Sequence, residues 1–400
     1  MTASAPCLDV TRLVTRAGAG PLTGIDRIEL SWLEHLARNP NSRFLLRSTR
    51  GYLLLGSEGA GVLASMARGL VQPGEADLIS RLTGRGGRMR HRVEAALRPH
   101  ARARCLPQGF ARLARRELSG GKYLNVGHAN FGRRVLSGLR GAGVRIGVLV
   151  HDTIPLDHPD YVAPGATARF AGFLDRAAKA DVLAVPTRAV AADVRRHLPG
   201  VSPVVAPPGV EPATPDPRNA PRGRPPYFIC VGTIEPRKNH ALLLDAWEMM
   251  ADTGDPPPEM HIVGRRGWHD PAFFARLDDH PLRGDRIHVH DGLPDGHAQA
   301  LLEGAAALLM PSFAEGYGLP PLEALAAGVP ALVSDLPVFR ETLGFSGVYL
   351  DPMDAYPWTK RIRRIAAGLD PRPMAPLAVP DRAGHIAAIT HALRGTEGRG

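Results

Sequence analysis

The stretch PATPDPRNAPRGRPP, 212–226, constrains the fold more than any other segment. It carries six prolines and almost no large apolar side chain. Each proline fixes φ at about −65° and removes a backbone donor, so neither a helix nor a central strand runs through it. The chain is therefore expected to form two bodies, 1–212 and 227–400, joined by a linker over 213–226. In the second body, YFICVG (227–232), MHIVG (260–264), RIHVHDG (286–292), AALLMPS (306–312), PALVSD (330–335) and GVYLD (347–351) read as strands. Short, continuous apolar runs are the pattern of buried parallel strands. Helical spacing between them, as with Leu242, Leu243, Ala246 and Met250, supplies the crossovers. In the first body CLDVTRLV (7–14), RFLLRS (43–48), KYLNVG (122–127), VRIGVLV (144–150), VLAVPT (182–187) and PVVAPPG (203–209) read as strands, with helices near 25–38, 165–180 and 187–197. Residues 56–118 read as a basic helical insert broken at Pro73, Gly84, Gly86 and Gly87. The expected class is α/β, two doubly wound Rossmann-like domains facing across a cleft. Such sheets take ligands beyond the carboxyl ends of their strands.

Composition removes several function classes. Cys7, Cys105 and Cys230 lie far apart with no C-x-x-C pair, which argues against a zinc ribbon and a disulfide scaffold. MTASAPCLDV shows no basic-then-apolar leader pattern, so a cytoplasmic location is expected. The net charge is +10, but only four of the 49 basic residues are lysine. With 44 Gly and 38 Pro, this is the usage of a GC-rich genome rather than a nucleic-acid footprint. The charge is concentrated: 81–118 holds eleven arginines against Glu94 and Glu117. With Leu82, Met89, Val93, Leu97 and Leu106 between them, these arginines suit an anionic membrane surface, or else a solvated helix face. Phe110 is the one aromatic there, which gives no platform for stacking bases, and no nucleic-acid partner is expected.

Two segments carry candidate chemistry. In PSFAEGYGLPPLEALAAGVP (311–330), Glu315 sits in a turn with Gly316, Tyr317 and Gly318, and a helix is expected to start at Pro320 or Pro321. Free N–H groups at such a helix start suit a diphosphate. Glu315 and Glu323 flank it, and carboxylates accept hydrogen bonds from sugar hydroxyls. An acidic first turn stabilised by the helix dipole is the plainer reading. In GTIEPRKNH (232–240), Arg237 and Lys238 follow the first strand of the second body. They suit an anion there, or form a solvated surface pair.

Together these residues resemble the retaining family-4 glycosyltransferases of the GT-B fold. Glu315 and Glu323 stand in a Glu-x7-Glu spacing with Gly-Tyr-Gly-Leu-Pro between them. Gly232-Thr233, Arg237-Lys238-Asn239, His261-Ile262-Val263-Gly264 and Ala326–Ala331 agree with the same pattern. The resemblance covers about 225–352 strongly, and 5–38 and 121–210 more weakly. It implies transfer of a hexose from a nucleotide-diphosphate sugar to a glycan or lipid-linked acceptor in cell-surface polysaccharide or lipopolysaccharide biosynthesis. No cofactor and no metal would be required. Glu315 would bind the sugar hydroxyls and Glu323 the ribose. Arg237 and Lys238 would hold the diphosphate, with Gly232 and Thr233 beside them. Amides from Gly316 through Tyr317 and Gly318 to Leu319 would line sugar and phosphate. Gly264 and Leu293 would sit near the base. His151, with Asp152 beside it at a strand end, would face the donor sugar. The glycine loop after the first strand departs from the family's paired form, with Gly18, Gly20 and Gly24 spaced apart. That leaves phosphate and acceptor both open for Gly24 with Arg27. The resemblance also leaves two other classes to be weighed, a nucleotide-sugar epimerase of the same fold and a non-catalytic nucleotide-sugar binder.

Overall fold

The computed structural model describes residues 6–18, 20–77, 87–218, 226–370 and 377–394. The expected breaks at Gly84 and Gly86, with Leu82, and part of the linker, 219–225, lie outside the described residues.

The first sheet contains β1 (Pro6–Asp9), β2 (Arg43–Arg47), β3 (Tyr52–Leu55), β4 (Ala101–Cys105), β5 (Lys122–Asn125), β6 (Arg145–Leu149), β7 (Val182–Val185) and β8 (Val204–Val205), in the order β4-β3-β2-β1-β5-β6-β7-β8. Only the β2–β3 and β3–β4 pairs are antiparallel. The second sheet is wholly parallel: β9 (Tyr227–Val231), β10 (Glu259–Val263), β11 (Ile287–His290), β12 (Ala307–Met310), β13 (Ala331–Ser334) and β14 (Gly347–Leu350), ordered β11-β10-β9-β12-β13-β14. Strand order reverses beside β1 in one sheet and beside β9 in the other. Those are the points where a doubly wound sheet opens a crevice at its carboxyl edge.

Each sheet is covered on both faces. In the first, Leu13, Trp32, Leu33, Leu63 and Leu97 pack one side, and Phe110, Leu136, Leu174 and Val190 the other. In the second, Leu243, Trp247, Leu277 and Trp358 pack one side, and Leu301, Leu322 and Phe339 the other.

Three expectations need correction. First, the strand read over 7–14 stops at Asp9, and Thr11–Arg16 is a helix. The Asp9 carboxylate accepts the Thr11 N–H at 3.0 Å, which turns the chain despite its β-branched residues. Second, 56–118 is not simply helical. Helices Ser57–Ala67, Arg88–Leu97 and Phe110–Glu117 are interrupted by β4, whose Arg102 and Arg104 point outward while Ala103 is buried. Val93 and Leu97 of this segment are spent in the core, leaving Leu106 exposed, so the apolar residues do not form one outward face. Third, the chain does not stay with the second domain to the end of the described residues: Leu377 and Val379 still pack there, but the helix after them does not. Helix Arg382–Arg394 buries Ile386, Ile389 and Leu393 in the core of the first.

Candidate active site

The carboxyl edges of the two sheets enclose a cleft of about 420 Å³. Every residue singled out above as a site candidate lines it: Gly24, Arg27, His151 and Asp152 from the first domain, the remainder from the second.

The charged centre is built on the turn after β9. Gly232 and Thr233 leave the strand, and Pro236–Lys238 forms a single 3-10 turn that sets Arg237 and Lys238 beside the loop after β12. Lys238 Nζ lies 2.5 Å from Glu315 Oε1, and Arg237 Nη1 lies 3.0 Å from Oε2. Ser312 donates its hydroxyl to Oε1 at 2.8 Å. Arg237 is also paired with Glu235 at 2.7 Å. Burial works against charge on Glu315, yet Lys238 and Arg237 outweigh it and hold its carboxyl down to about 2. Glu315 is therefore an anion clamped between buried Lys238 and half-buried Arg237. It keeps both cations in place and can surrender part of that contact to a ligand.

The loop 315–319 brings backbone to the cleft. A Cβ on Gly316 would stand 2.3 Å from the His151 carbonyl oxygen, so only glycine lets the two domains approach this closely. Gly318 has φ 86°, and the helix it starts is Leu319–Ala326. That start precedes the expected one, and it changes the donor count. Pro320 and Pro321 fall inside the first turn and have no N–H. Among the described residues, the amides of Gly316, Tyr317, Gly318 and Leu319 have no hydrogen-bond partner. The donors are in the loop, not deeper in the helix. The Tyr317 hydroxyl donates to the Pro208 carbonyl at 2.8 Å, a second tie between the domains.

Across the cleft, His151 is buried and its Nε2 lies 2.7 Å from the Val126 carbonyl oxygen. A carbonyl only accepts, so Nε2 carries the proton and Nδ1 keeps a lone pair. Burial pushes this imidazole down to about 4, and it is neutral at physiological pH. Asp152 is raised by burial, with Arg237 opposing the rise from the other domain. Gly264, Leu293 and Arg265 form the far wall.

The sequence did not reveal two features. Arg27 Nη1 reaches Glu323 Oε1 at 2.6 Å, an ion pair across the cleft without hydrogen-bond alignment. It faces the second glutamate of the Glu-x7-Glu pair, and burial holds that carboxyl above its ordinary value. The other is the capping of helix Gly24–Ala37. Buried Asp26 accepts the Thr23 N–H at 2.9 Å and the Thr23 hydroxyl at 2.7 Å, and pairs with Arg12 at 2.6 Å. Asp26 thus caps the Thr23 N–H at this helix start. A Thr-x-x-Asp signal was present in the sequence, but it fitted any capped helix.

Residues 214–368 match the family Glycosyl transferases group 1. A serotype-specific mannosyltransferase, WbdA of Escherichia coli, is 31% identical over 227 residues, which is 52% of this chain and 28% of that protein. The chain thus spans under a third of that relative's length. Among solved structures, sucrose-phosphate synthase from Thermosynechococcus elongatus aligns at TM-score 0.58 and 17% identity, covering 98% of this chain and 93% of that one. The apo lipopolysaccharide outer core galactosyltransferase WaaB aligns at TM-score 0.53 and 14% identity, covering 98% and 95%. The two-domain architecture is the GT-B fold.

Proposed function

We propose that this chain is a retaining glycosyltransferase that moves a mannose-like hexose from a nucleotide-diphosphate sugar to a glycan or lipid-linked acceptor in O-antigen-type polysaccharide biosynthesis. The observation that carries the reading is the clamp of Arg237, Lys238 and Glu315 beside the unpaired amides of 316–319. Departure of a nucleoside diphosphate develops negative charge, and fixed cations and amides in a water-poor cleft stabilise it. Arg237 and Lys238 fill that role at the diphosphate. Glu315 then turns to the sugar hydroxyls, and Glu323 exchanges Arg27 for the ribose. Neutral His151 contributes a hydrogen bond to the sugar rather than a proton. The bond from C1 to the diphosphate breaks, the acceptor oxygen joins C1 on the same face, and a donor phosphate oxygen takes the acceptor proton. No step needs a metal or a cofactor.

The glutamates are not a glycosidase acid–base pair, because such a pair flanks the scissile bond. Here Lys238 and Arg237 hold Glu315 ionised, which is unsuited to a general acid. Among the described residues no helix is long and apolar enough to cross a membrane. A lipid-linked acceptor would be met at the cytoplasmic membrane face, with exposed Arg102, Arg104, Arg112 and Arg115 offering charge to anionic headgroups.

The test is turnover of GDP-, UDP-, ADP- and dTDP-hexoses with and without glycan acceptors. Release of nucleoside diphosphate only with acceptor, and an NMR coupling showing the donor's anomeric configuration in the product, supports the proposal. Conversion of the nucleotide sugar without acceptor and without such release would make the protein an epimerase. Binding without any turnover would make it a non-catalytic binder.

A further inference from the structure

A second cluster of ionisable side chains lies beneath the cleft wall, away from the residues used above. Glu259 and His261 on β10, and His288 and His290 on β11, share one sheet face, as the β10–β11 register requires. The same face carries Tyr227, whose hydroxyl bonds the Leu301 carbonyl of the covering helix Asp295–Gly304 at 2.8 Å. The His261 ring stacks on His288 and His290, with centroids 4.8 and 5.2 Å apart.

The polar atoms of this cluster point at one another. His261 Nδ1 lies 2.9 Å from His290 Nε2. Its other nitrogen, Nε2, and His288 Nε2 are buried atoms without a hydrogen-bond partner. Glu259 Oε2 stands 3.4 Å from the first and 4.0 Å from the second, the closer contact lacking hydrogen-bond alignment. One ligand atom from each of Glu259, His261 and His288 lies within 4.8 Å of the other two. A ladder of histidines held by hydrogen bonds alone would have paired these nitrogens. Two buried imidazole nitrogens without an aligned partner, beside a carboxylate, are what a cation-binding set looks like before the cation arrives.

We propose that Glu259, His261 and His288 bind one zinc ion that ties β10 to the edge strand β11. Zinc takes imidazole nitrogen and carboxylate oxygen at about 2.0–2.2 Å, which places tetrahedral ligand atoms about 3.3 Å apart. The Glu259–His261 spacing already fits. His288, whose ligand atom lies within 4.8 Å of the other two, needs a shift of about 1.5 Å to reach that spacing, and it sits on the outermost strand with its side chain 25% exposed. That exposure is the entry route and leaves the fourth position to water. His290 completes the arrangement as a positioning residue. If its Nε2 accepts the proton of His261 Nδ1, the tautomer of His261 is fixed with the Nε2 lone pair facing the metal. The His290 carbonyl in turn accepts the Gly264 N–H at 3.0 Å. Because Gly264 lines the cleft, the zinc would brace the wall of the donor site from behind.

The full chain is stripped with a chelator and dialysed, then titrated with zinc against a chromophoric competitor. Cobalt is titrated in parallel and followed by its visible d–d absorption. The expected result is one zinc per chain at micromolar affinity or tighter, a higher Tm, and an intense four-coordinate cobalt band. His288→Ala, at the exposed edge, should remain folded and lose the cobalt band and at least tenfold in zinc affinity. Half-buried Cys105 is the control for a thiol site elsewhere, and Cys105→Ser should bind as the parent does. Absence of stoichiometric zinc in the parent, or unchanged affinity in His288→Ala, overturns the proposal.

Discussion

Lys238 is one of four lysines in the chain, and only 6% of its surface is exposed. A buried ammonium persists only where a partner holds it, and Glu315 does so at 2.5 Å. Lys238→Ala should lower kcat by about 10²–10³, the usual loss on removing one donor from a developing oxyanion. Arg237 and Ser312 remain on Glu315, so the fold should survive, and steady-state turnover beside a urea melt separates the two effects. A near-normal kcat would remove Lys238 from the leaving-group role. Glu315 gives a pH prediction of defined sign. Its folded value, about 2, lies below its ordinary 4.5, so its contribution is complete above about 4.5 and is lost as pH falls toward 2. The stability difference between the parent and Glu315→Gln, about 3 kcal/mol at neutral pH by linkage, should therefore shrink across that window in denaturant melts. A difference that stays flat from pH 5 to about 2 would mean that the carboxylate is not held ionised by its neighbours.

At the level of elements, the helix starts at Gly24 and Leu319 meet across the cleft, and Arg27 bridges to Glu323 from one to the other. Arg27→Ala leaves Glu323 buried without its cation, which costs about 1–3 kcal/mol and weakens the closed arrangement. Small-angle scattering of the free protein should show a larger radius of gyration, and the urea midpoint should fall. If neither moves, the pair does not hold the domains together. This bridge could not be read in the sequence: Arg27 was legible beside Gly24 as a ligand contact, but its pairing with Glu323, almost 300 residues on, depends on how the two domains meet. The central strands of the second sheet could be read, since β9, β12 and β13 are short apolar runs covered on both faces. β4 could not. ARARC alternates small inward residues with arginine on an edge strand, and the charge masks the period. The turn holding Arg237, Lys238 and Glu315 was legible as a set. Its internal pairing was not, because a free cation pair and a carboxylate-clamped one share the same letters. Pro320 and Pro321 were visible, but the helix start one residue before them, which withdraws their amides from any anion site, followed only from the left-handed Gly318.

For the whole molecule, the path of the chain matters more than the linker alone. It builds the first domain, crosses to the second through the proline-rich stretch, and returns with helix Arg382–Arg394. Ile386, Ile389 and Leu393 are each at most 3% exposed there, packed with Leu8, Leu149 and Val182. His385 accepts from Trp32 Nε1 at 3.1 Å, a buried bond between the ends of the sequence. Its Nδ1 lies 2.9 Å from the Ala206 carbonyl at the end of the first domain. The first sheet is thus completed by the last helix, and residues 1–212 should not fold alone. Leu393 fills the space above Gly147, where even one added methyl carbon would come within 2.8 Å of it. Removing residues after 370 would bare that floor of the sheet. The expected outcome is that 1–212 expressed alone aggregates, while the same segment supplied with 377–394 as a fused C-terminal helix recovers a cooperative melt. The milder probe is Ile389→Ala, which should cost about 2–5 kcal/mol, the range for truncating a fully buried aliphatic side chain. The loss should appear in the transition that reports Trp32, by its fluorescence, and not in one reporting Trp247 and Trp358 of the second domain. An equal loss in both would mean that the domains unfold as one cooperative unit, and a loss in neither would detach the last helix from the first domain's stability. If the fluorescence of Trp32 alone responds, the last described helix belongs to the cooperative unit of the first domain, although the chain reaches it only after building the second.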